Sequence, residues 1–135
     1  MIEFQLPYPP SVNHIYRRTG RGGRQVVLKD SVRDWRADAG WAYKAAGGRV
    51  LHGRVMVEVS LYPPAKGRVG DVDNALKATL DALKGVAYRD DEQVTMIVVV
   101  RMYREGVGKA VVRVSTVAGQ EGRSDTKKEP ASPMG

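Results

Sequence analysis

Acidic side chains flank one short helical stretch within residues 70–93 of this 135-residue chain. Asp71 and Asp73 precede the stretch, and Asp90 and Asp91 follow it. Carboxylates that lie close together repel one another, so a fold gathers them when a cation offsets the repulsion. Mg²⁺ prefers oxygen ligands and is usually held by one or two carboxylates together with water and substrate phosphate. The acidic residues therefore indicate a divalent-metal site.

A lysine belongs to the same group of residues. Lys77 lies four residues after Asp73, so on a helix that starts near Asn74 its ammonium can lie over the same end of the site. Carboxylates beside a lysine suit phosphodiester hydrolysis. The metal would activate water and polarise the phosphate, and the lysine would stabilise charge in the transition state.

Two other interpretations of the acidic residues can be compared with this one. A calcium EF-hand loop starting at Asp71 would need Gly and Glu where the chain has Leu76 and Ala82, which excludes that site. The simpler alternative is structural: the acids before the helix only cap it, and residues 90–92 form a solvated turn. Spacing alone leaves this alternative open.

The stretch between the acids has the pattern of an amphipathic helix. Its apolar positions recur on one helix face and are Leu76, Leu80 and Leu83. Its polar face carries Asn74, Lys77, Asp81 and Lys84. Asp73 or Asn74 suits the N-cap and Gly85 suits a C-terminal stop. We therefore predict a helix over residues 74–84 with its leucines toward the core.

The other elements follow from the alternation of apolar and polar residues and from the positions of Gly and Pro. Strands are predicted at residues 2–6, 55–61, 94–103 and 110–117. Ser31 with Asp34 resembles a capping box for a helix that continues to the Gly47-Gly48 pair, with Trp35 and Trp41 as core anchors. Residues 86–89 are predicted to be a short extended segment.

These elements predict an α+β fold in the order β-α-β-α-β-β, with two helices on one face of a single mixed sheet. We expect this fold to occupy residues 1–118 as one domain. Residues 119–135 are rich in Gly, Ser, Lys, Glu and Pro with almost nothing to bury, which predicts a disordered tail.

Composition narrows the partners and the compartment. The net charge of +7 and the pI near 9.9 favour a polyanionic partner. The charges of residues 119–135 cancel, so the excess lies on the domain. Because there are no cysteines, no membrane-length apolar run and no signal-peptide pattern at the N-terminus, we expect a soluble, intracellular protein.

Basic residues occur in two segments that could contact phosphates. Residues 17–29 contain no acid and are predicted to form a flexible basic loop, although a merely solvated loop is the alternative. The connection after the second predicted strand, residues 65–70, is also basic and leads directly into Asp71. We call it the basic connection. The candidate DNA-contacting residues are Asn13, Arg17, Arg18, Arg21, Arg24, Lys66 and Arg68.

Three blocks of this chain resemble the RusA family of Holliday junction resolvases. They are Pro-Tyr-Pro-Pro-Ser-Val-Asn at 7–13, Asp-Val-Asp-Asn-Ala-Leu-Lys at 71–77, and Asp-Ala-Leu-Lys-Gly followed by Asp-Asp-Glu-Gln-Val within 81–94. They occur in the family's order and at its approximate spacing. Together they span the chain from near its start to the predicted strand at 94–103.

The resemblance implies a small, dimeric, Mg²⁺-dependent endonuclease that cuts four-way DNA junctions by paired nicks. Asp71, Asp73 and Asp91 match the family's essential acids, Lys77 matches its active-site lysine, and Asp90 matches a neighbouring acid that we include among the metal ligands. We expect that Mn²⁺ could substitute for Mg²⁺. Such enzymes are often encoded by phages or prophages, which implies action in the cytoplasm of a bacterial host, with no membrane and no small-molecule cofactor.

A dimer suits a substrate with two-fold symmetry, because two equivalent sites can make two symmetric cuts. Its interface could be the apolar strand at 94–103 or the helix with Trp35 and Trp41. Three other functions remain open: a nuclease for other branched DNA, a non-catalytic basic DNA-binding protein, and a nucleotide phosphohydrolase.

Overall fold

The computed structural model describes residues 1–10, 16–19, 25–28 and 30–117, with residues 16–19 and 25–28 described by their backbone only. Its strands are β1 (Ile2–Pro7), β2 (Tyr16–Thr19), β3 (Gln25–Leu28), β4 (Val55–Tyr62), β5 (Val94–Arg101) and β6 (Lys109–Thr116). Its helices are α1 (Asp30–Ala45) and α2 (Val72–Leu83), and a 3₁₀ turn (Asp91–Gln93) precedes β5. The predicted contacts Asn13, Arg21 and Arg24 and the tail at 119–135 lie outside the described residues.

Four strands form one mixed sheet in the order β1-β6-β4-β5. β6 is antiparallel to both of its neighbours, and β5 is parallel to β4. A parallel pair needs a crossover connection, and α2 supplies it between β4 and β5. The predicted α+β class with a mixed sheet is confirmed.

Both helices pack on the same face of this sheet. In β4 the side chains alternate strictly, with Val55, Val57, Val59 and Leu61 buried beneath the helices. β1 and β6 add buried apolar residues to the same layer. From α1, the buried Trp35 donates a hydrogen bond from Nε1 to the Pro7 carbonyl at 3.0 Å. This core holds α2 against the sheet and so positions the exposed acids at its start.

Two expectations for α1 are wrong. The helix begins at Asp30, so Ser31 lies inside its first turn and is not the N-cap of a capping box. Trp41 is not a core anchor: it is 70% exposed, with the Lys44 ammonium 5.7 Å from its ring centroid. Trp35 occupies the core-facing position instead, because Trp41 lies six residues further on and faces the solvent side of α1.

The prediction of a flexible basic loop is wrong where the chain is described. β2 and β3 pair antiparallel as a hairpin, with Arg17 opposite Val27 and Arg18 opposite Val26. The reason is local: Tyr16 and the two valines are good strand formers, and they outweigh the neighbouring glycines and arginines. The hairpin is a separate two-stranded sheet, so two strands are added to the predicted order before α1.

β5 is the most exposed strand of the main sheet. It stands at the sheet's edge, and no strand within the described residues pairs with its outer side. Its apolar residues Met96, Ile97, Val98 and Val100 are 41–48% exposed. The register with β4 puts Ile97 on the helix-covered face and the other three on the open face.

Neither described helix has the length and apolar character needed to cross a membrane.

Candidate active site

The start of α2 differs from the prediction in a way that affects the acids. The helix begins at Val72, so Asp73 lies in its first turn and Asp71 occupies the N-cap. Asp71 has the extended backbone of a cap (φ −73°, ψ 146°), yet its side chain makes no capping hydrogen bond. Its carbonyl accepts from the Ala75 amide at 3.3 Å. The Asp71 carboxylate is therefore not used to hold the helix together.

α2 ends at Leu83, one residue before the predicted end, and the predicted glycine follows. Gly85 follows the helix with φ 94°, a left-handed conformation that glycine adopts without strain. The amide of the preceding residue, Lys84, bonds back to the Leu80 carbonyl at 3.2 Å. The predicted extended segment at residues 86–89 is a turn instead, whose amides bond back to the Leu83 carbonyl.

The face of α2 that packs on the core is lined mainly by small residues. The buried positions are Ala75, Ala78, Thr79, Ala82 and Leu83. Leu76 and Leu80 are only half-buried, so the prediction that all three leucines face the core holds fully for Leu83 alone. Small side chains let α2 approach the sheet and α1 closely, which turns Leu76 and Leu80 toward a groove at the surface.

That groove is a cavity of about 300 Å³ between α2, the 3₁₀ turn and β5. It is lined by Asp73, Leu76, Lys77, Leu80, Asp81, Tyr88, Asp91, Val94 and Ile97. The structure thus brings Asp73 and Lys77 of α2 together with Asp91 of the turn. Sequence spacing alone could not show that these residues share a cavity, because this depends on how the turn packs against the helix.

Asp71 lines a neighbouring cavity of about 170 Å³. Arg68 and Asn74 share this cavity with it, together with Tyr8. Burial raises the pKa of Tyr8, while the Arg101 charge acts in the opposite direction. The buried Tyr8 hydroxyl has no hydrogen-bond partner within the described chain.

The carboxylates fit a magnesium ion, but not as a ready-made cluster of three. Within the described residues, no three Asp, Glu, His or Cys side chains are grouped closely enough to hold a metal. Asp73 and Asp91 share one cavity, and two carboxylates with water and substrate phosphate suffice for Mg²⁺. Asp71 opens on the adjacent cavity at the same end of α2.

Ion pairs orient the charged side chains around the cavity. The Lys77 ammonium lies 3.5 Å from Asp81 Oδ2, and the Arg36 guanidinium of α1 lies 3.7 Å from the same oxygen. Lys84 Nζ lies 3.3 Å from Asp91 Oδ2. The sequence analysis assigned no role at the site to Asp81, Lys84 or Arg36. The four-residue spacing of 73, 77 and 81 could have revealed Asp81, whereas the other pairings depend on tertiary packing.

The turn that carries Asp91 is held by its neighbours. Asp90 is its N-cap, and Asp90 Oδ1 accepts from the Glu92 amide at 2.9 Å. Gln93 closes the capping box, since its side-chain oxygen accepts from the Asp90 amide at 3.0 Å. One oxygen of Asp90, the further predicted metal ligand, is thus occupied by the turn itself.

Tyr88 forms the buried floor of the cavity. It is fully buried, and its hydroxyl donates to the Leu80 carbonyl at 2.7 Å. Burial raises the pKa of Tyr88 most, and the charges of Asp91 and Asp81 raise it further. The phenol therefore stays protonated at neutral pH and acts as a structural donor, not as a base.

One arginine at the end of β5 and one just after it hold the basic connection that leads to Asp71. Arg101 donates to the Gly70 carbonyl at 2.6 Å, and Arg104 donates to the carbonyls of Pro64 and Gly67. Lys66 and Arg68, the predicted DNA contacts in this connection, are exposed and form no ion pair within the described part of the chain. Of the other predicted contacts, Arg17 and Arg18 lie on β2.

Comparisons with known proteins agree on one family. The family model described as endodeoxyribonuclease RusA matches residues 7–115. A crossover junction endodeoxyribonuclease rusA from Enterobacteria phage HK97 is 30% identical over 115 residues, which cover 84% of this chain and 92% of the phage protein. With Asp73, Lys77 and Asp91 gathered beside α2, the chain belongs to the RusA family of endodeoxyribonucleases.

Proposed function

We propose that this protein is a Mg²⁺-dependent endonuclease that resolves four-way DNA junctions by paired, symmetric nicks. One observation carries the proposal: a single cavity gathers Asp73, Lys77 and Asp91 from two separate segments of the chain. The phage HK97 relative is named a crossover junction endodeoxyribonuclease, and that name supports a DNA junction as the substrate. Its organism supports a phage or prophage origin for this protein, which would then act in the cytoplasm of the bacterial host.

Asp73 and Asp91 would hold the cation, with Asp71 contributing from the neighbouring cavity. When bound, the cation supplies a water nucleophile at neutral pH and polarises the phosphate. Lys77 stabilises the charge that develops on the phosphate, and its pairing with Asp81 keeps its ammonium beside the cavity. Asp90 supports Asp91 through the turn and is the least available of the four acids, since one of its oxygens accepts from Glu92.

The DNA backbone would approach over the basic connection before α2. Lys66 and Arg68 are exposed there, beside the cavity that Asp71 lines. The remaining candidates would contact further phosphates of the backbone; they are Arg17 and Arg18 on β2 and, outside the described residues, Asn13, Arg21 and Arg24. These contacts position the junction without reading its sequence.

A dimer through β5 fits this function better than a dimer through α1. Parallel strands are normally covered on both faces, and a long, exposed, apolar edge strand readily pairs with another chain. β5 has both an unpaired edge, within the described residues, and an open apolar face at Met96, Val98 and Val100. Ile97 of the same strand lines the catalytic cavity, so the interface and the site would adjoin.

Replacing Val100 with Glu tests the dimer. The side chain is 45% exposed and lies opposite Ser60, so the change should leave the monomer folded while burying a charge at the interface. We expect a monomer in analytical ultracentrifugation and loss of paired nicking. Gln5→Glu on β1, at the opposite edge of the sheet, is the control and should remain a dimer. A dimeric Val100→Glu protein would exclude β5 as the interface.

The function itself is tested with a labelled four-way junction and a matching linear duplex, each with Mg²⁺, with Mn²⁺ and with EDTA. We expect paired nicks in the junction only, and only with metal. Asp73→Asn should abolish cleavage and bind the junction at least as tightly, because it removes a ligand and a negative charge. Asp38→Asn, at an exposed position of α1 away from the cavity and from β5, is the charge-matched control.

Other outcomes identify the alternatives. Cleavage of flaps or forks in preference to junctions would indicate a nuclease for other branched DNA. Salt-sensitive junction binding with no metal-dependent product would indicate a non-catalytic DNA-binding protein. A truncated protein of residues 1–118 should retain full cleavage, since we propose that these residues form the catalytic domain.

A further inference from the structure

Gln93 forms the most complete set of side-chain hydrogen bonds around the site. Its Oε1 accepts from the amides of Arg89 at 2.9 Å and Asp90 at 3.0 Å. Its Nε2 donates to the carbonyls of Leu51 and Gly53, both at 2.9 Å. A primary amide has two N–H donors and two acceptor lone pairs, so every hydrogen-bonding position of this side chain is used.

These bonds join two segments that are about 40 residues apart in the chain. One is the turn that carries Asp91, and the other is the connection that leads into β4. Because β4 and β5 are parallel neighbours that start near each other, the Gln93 bonds tie the beginnings of both strands together. The turn is thereby anchored to the body of the sheet.

Asp91 depends on this anchor because little else restrains it. Its side chain is 72% exposed, and its one side-chain partner within the described residues is Lys84, itself half-exposed. The position of its carboxylate is therefore determined mainly by the backbone of the turn. Asp73, by contrast, lies on a helix that is packed against the core.

We propose that Gln93 is a positioning residue for the cation site: it holds Asp91 at the cavity shared with Asp73 and touches neither cation nor DNA. This inference rests on the proposed metal-dependent function. Glutamate at position 93 could still accept from Arg89 and Asp90 but could not donate to the two carbonyls. The donor half of the amide is thus the part that anchors the turn to the sheet.

The test exchanges two neighbouring residues in the double variant Glu92→Gln/Gln93→Glu. Composition and net charge of the turn stay the same, while the amide moves to a position from which it cannot replace the bonds of Gln93. We expect the dissociation constant for Mn²⁺, measured by calorimetry without DNA, to rise about 10- to 100-fold, as for other groups that orient metal ligands. Cleavage at saturating Mn²⁺ and the KM for the junction should stay near wild type.

Two controls separate positioning from charge and from general destabilisation. Glu92→Gln alone removes a charge from the turn and keeps Gln93, so it should bind Mn²⁺ much more tightly than the exchange variant. Val112→Ala destabilises the core on β6, far along the chain from the turn, and should leave the Mn²⁺ affinity of the folded protein unchanged.

The outcomes distinguish this inference from the proposed function. If the wild-type protein binds Mn²⁺ and the exchange variant binds it equally well, the role of Gln93 is overturned and the metal site stands. The role is also overturned if Val112→Ala weakens Mn²⁺ binding as much as the exchange does. If the wild-type protein binds no Mn²⁺, the metal site fails and the inference fails with it.

Discussion

Two short acidic segments, the start of α2 and the 3₁₀ turn, begin in similar ways and use their first carboxylate differently. Asp71 and Asp90 both occupy N-caps with extended backbones. Asp90 caps its turn through a bond to the Glu92 amide, and Gln93 completes the box. Asp71 makes no capping bond, although α2 is four times the length of the turn and has more unpaired amides to offer it.

The difference separates structural acids from acids left free for chemistry. An N-cap side chain typically contributes about 1 kcal/mol, a stabilisation that α2 does not receive from Asp71. The alternative that the acids before the helix merely cap it therefore does not describe Asp71. A capping role does describe Asp90, whose carboxylate caps the 3₁₀ turn. The same alternative had taken residues 90–92 to be only a solvated turn.

The largest effect we expect from this comparison is at Asp71. Asp71→Asn should lower junction cleavage by more than about 100-fold, because it removes a carboxylate from the metal site. Its free energy of unfolding, measured in urea, should change by less than about 0.5 kcal/mol, since no capping bond is lost. A variant that cleaves normally but unfolds about 1 kcal/mol more easily would make Asp71 a cap after all.

A smaller effect is expected at Asp90, where two substitutions distinguish a cap from a ligand. Asn caps as well as Asp, so Asp90→Asn should leave the free energy of unfolding nearly unchanged and the cleavage rate within about two-fold of wild type. Asp90→Ala should lower the unfolding free energy by about 1 kcal/mol and weaken cleavage through a looser turn. Loss of cleavage in Asp90→Asn, with stability intact, would instead identify Asp90 as a metal ligand, as the sequence predicts.

The smallest effect concerns Tyr88, which lies between the two acidic segments. Because its pKa is raised in the folded state, the folded protein holds the phenolic proton more tightly than the unfolded chain. The resulting stabilisation is fully present below about pH 10, the pKa of unfolded tyrosine, and is lost as the pH rises above it. Urea unfolding between pH 8 and 11 should show this loss.

Tyr88→Phe should reduce the loss of stability at alkaline pH, since the titrating phenol is gone. It should also lower the free energy of unfolding at neutral pH by about 1 kcal/mol, because the hydrogen bond to the Leu80 carbonyl is lost. Tyr103→Phe, on an exposed ring, is the control and should leave the alkaline loss unchanged. Asp91→Asn should make Tyr88 titrate at lower pH, since the charge of Asp91 helps to raise its pKa. An unchanged Tyr88 titration in that variant would mean that Asp91 does not lie near the cavity floor.

Elements with a strong local signal were predictable from sequence. β4 alternates between buried and half-buried residues as its letters predict, because one face of its pleat lies under the helices. Gly85 turns the chain back after α2 because it can adopt a positive φ. The start of α2 was missed by two residues, because Asp73 and Asn74 are good caps by type and only the observed backbone shows that the helix begins before them.

Features that depend on contacts distant in sequence were not predictable. The apolar pattern of Leu76 and Leu80 looks like a core face, yet alanines take that place because α2 packs tightly on α1 and the sheet. β5 looks like a buried central strand by composition and is an edge strand by topology. The order of strands in a sheet is a property of the whole chain and not of any one strand.

For the site itself, the amino-acid sequence by itself determined which side chains can do chemistry: Asp71, Asp73, Lys77 and Asp91, through their types and their nearness to one helix. The tertiary structure decided which of them share a cavity, which acid is used as a cap, and that Gln93 anchors the turn of Asp91. The physical reason is that ionisable groups and helix spacing are local properties, whereas carbonyl partners 40 residues away are chosen only when the chain folds.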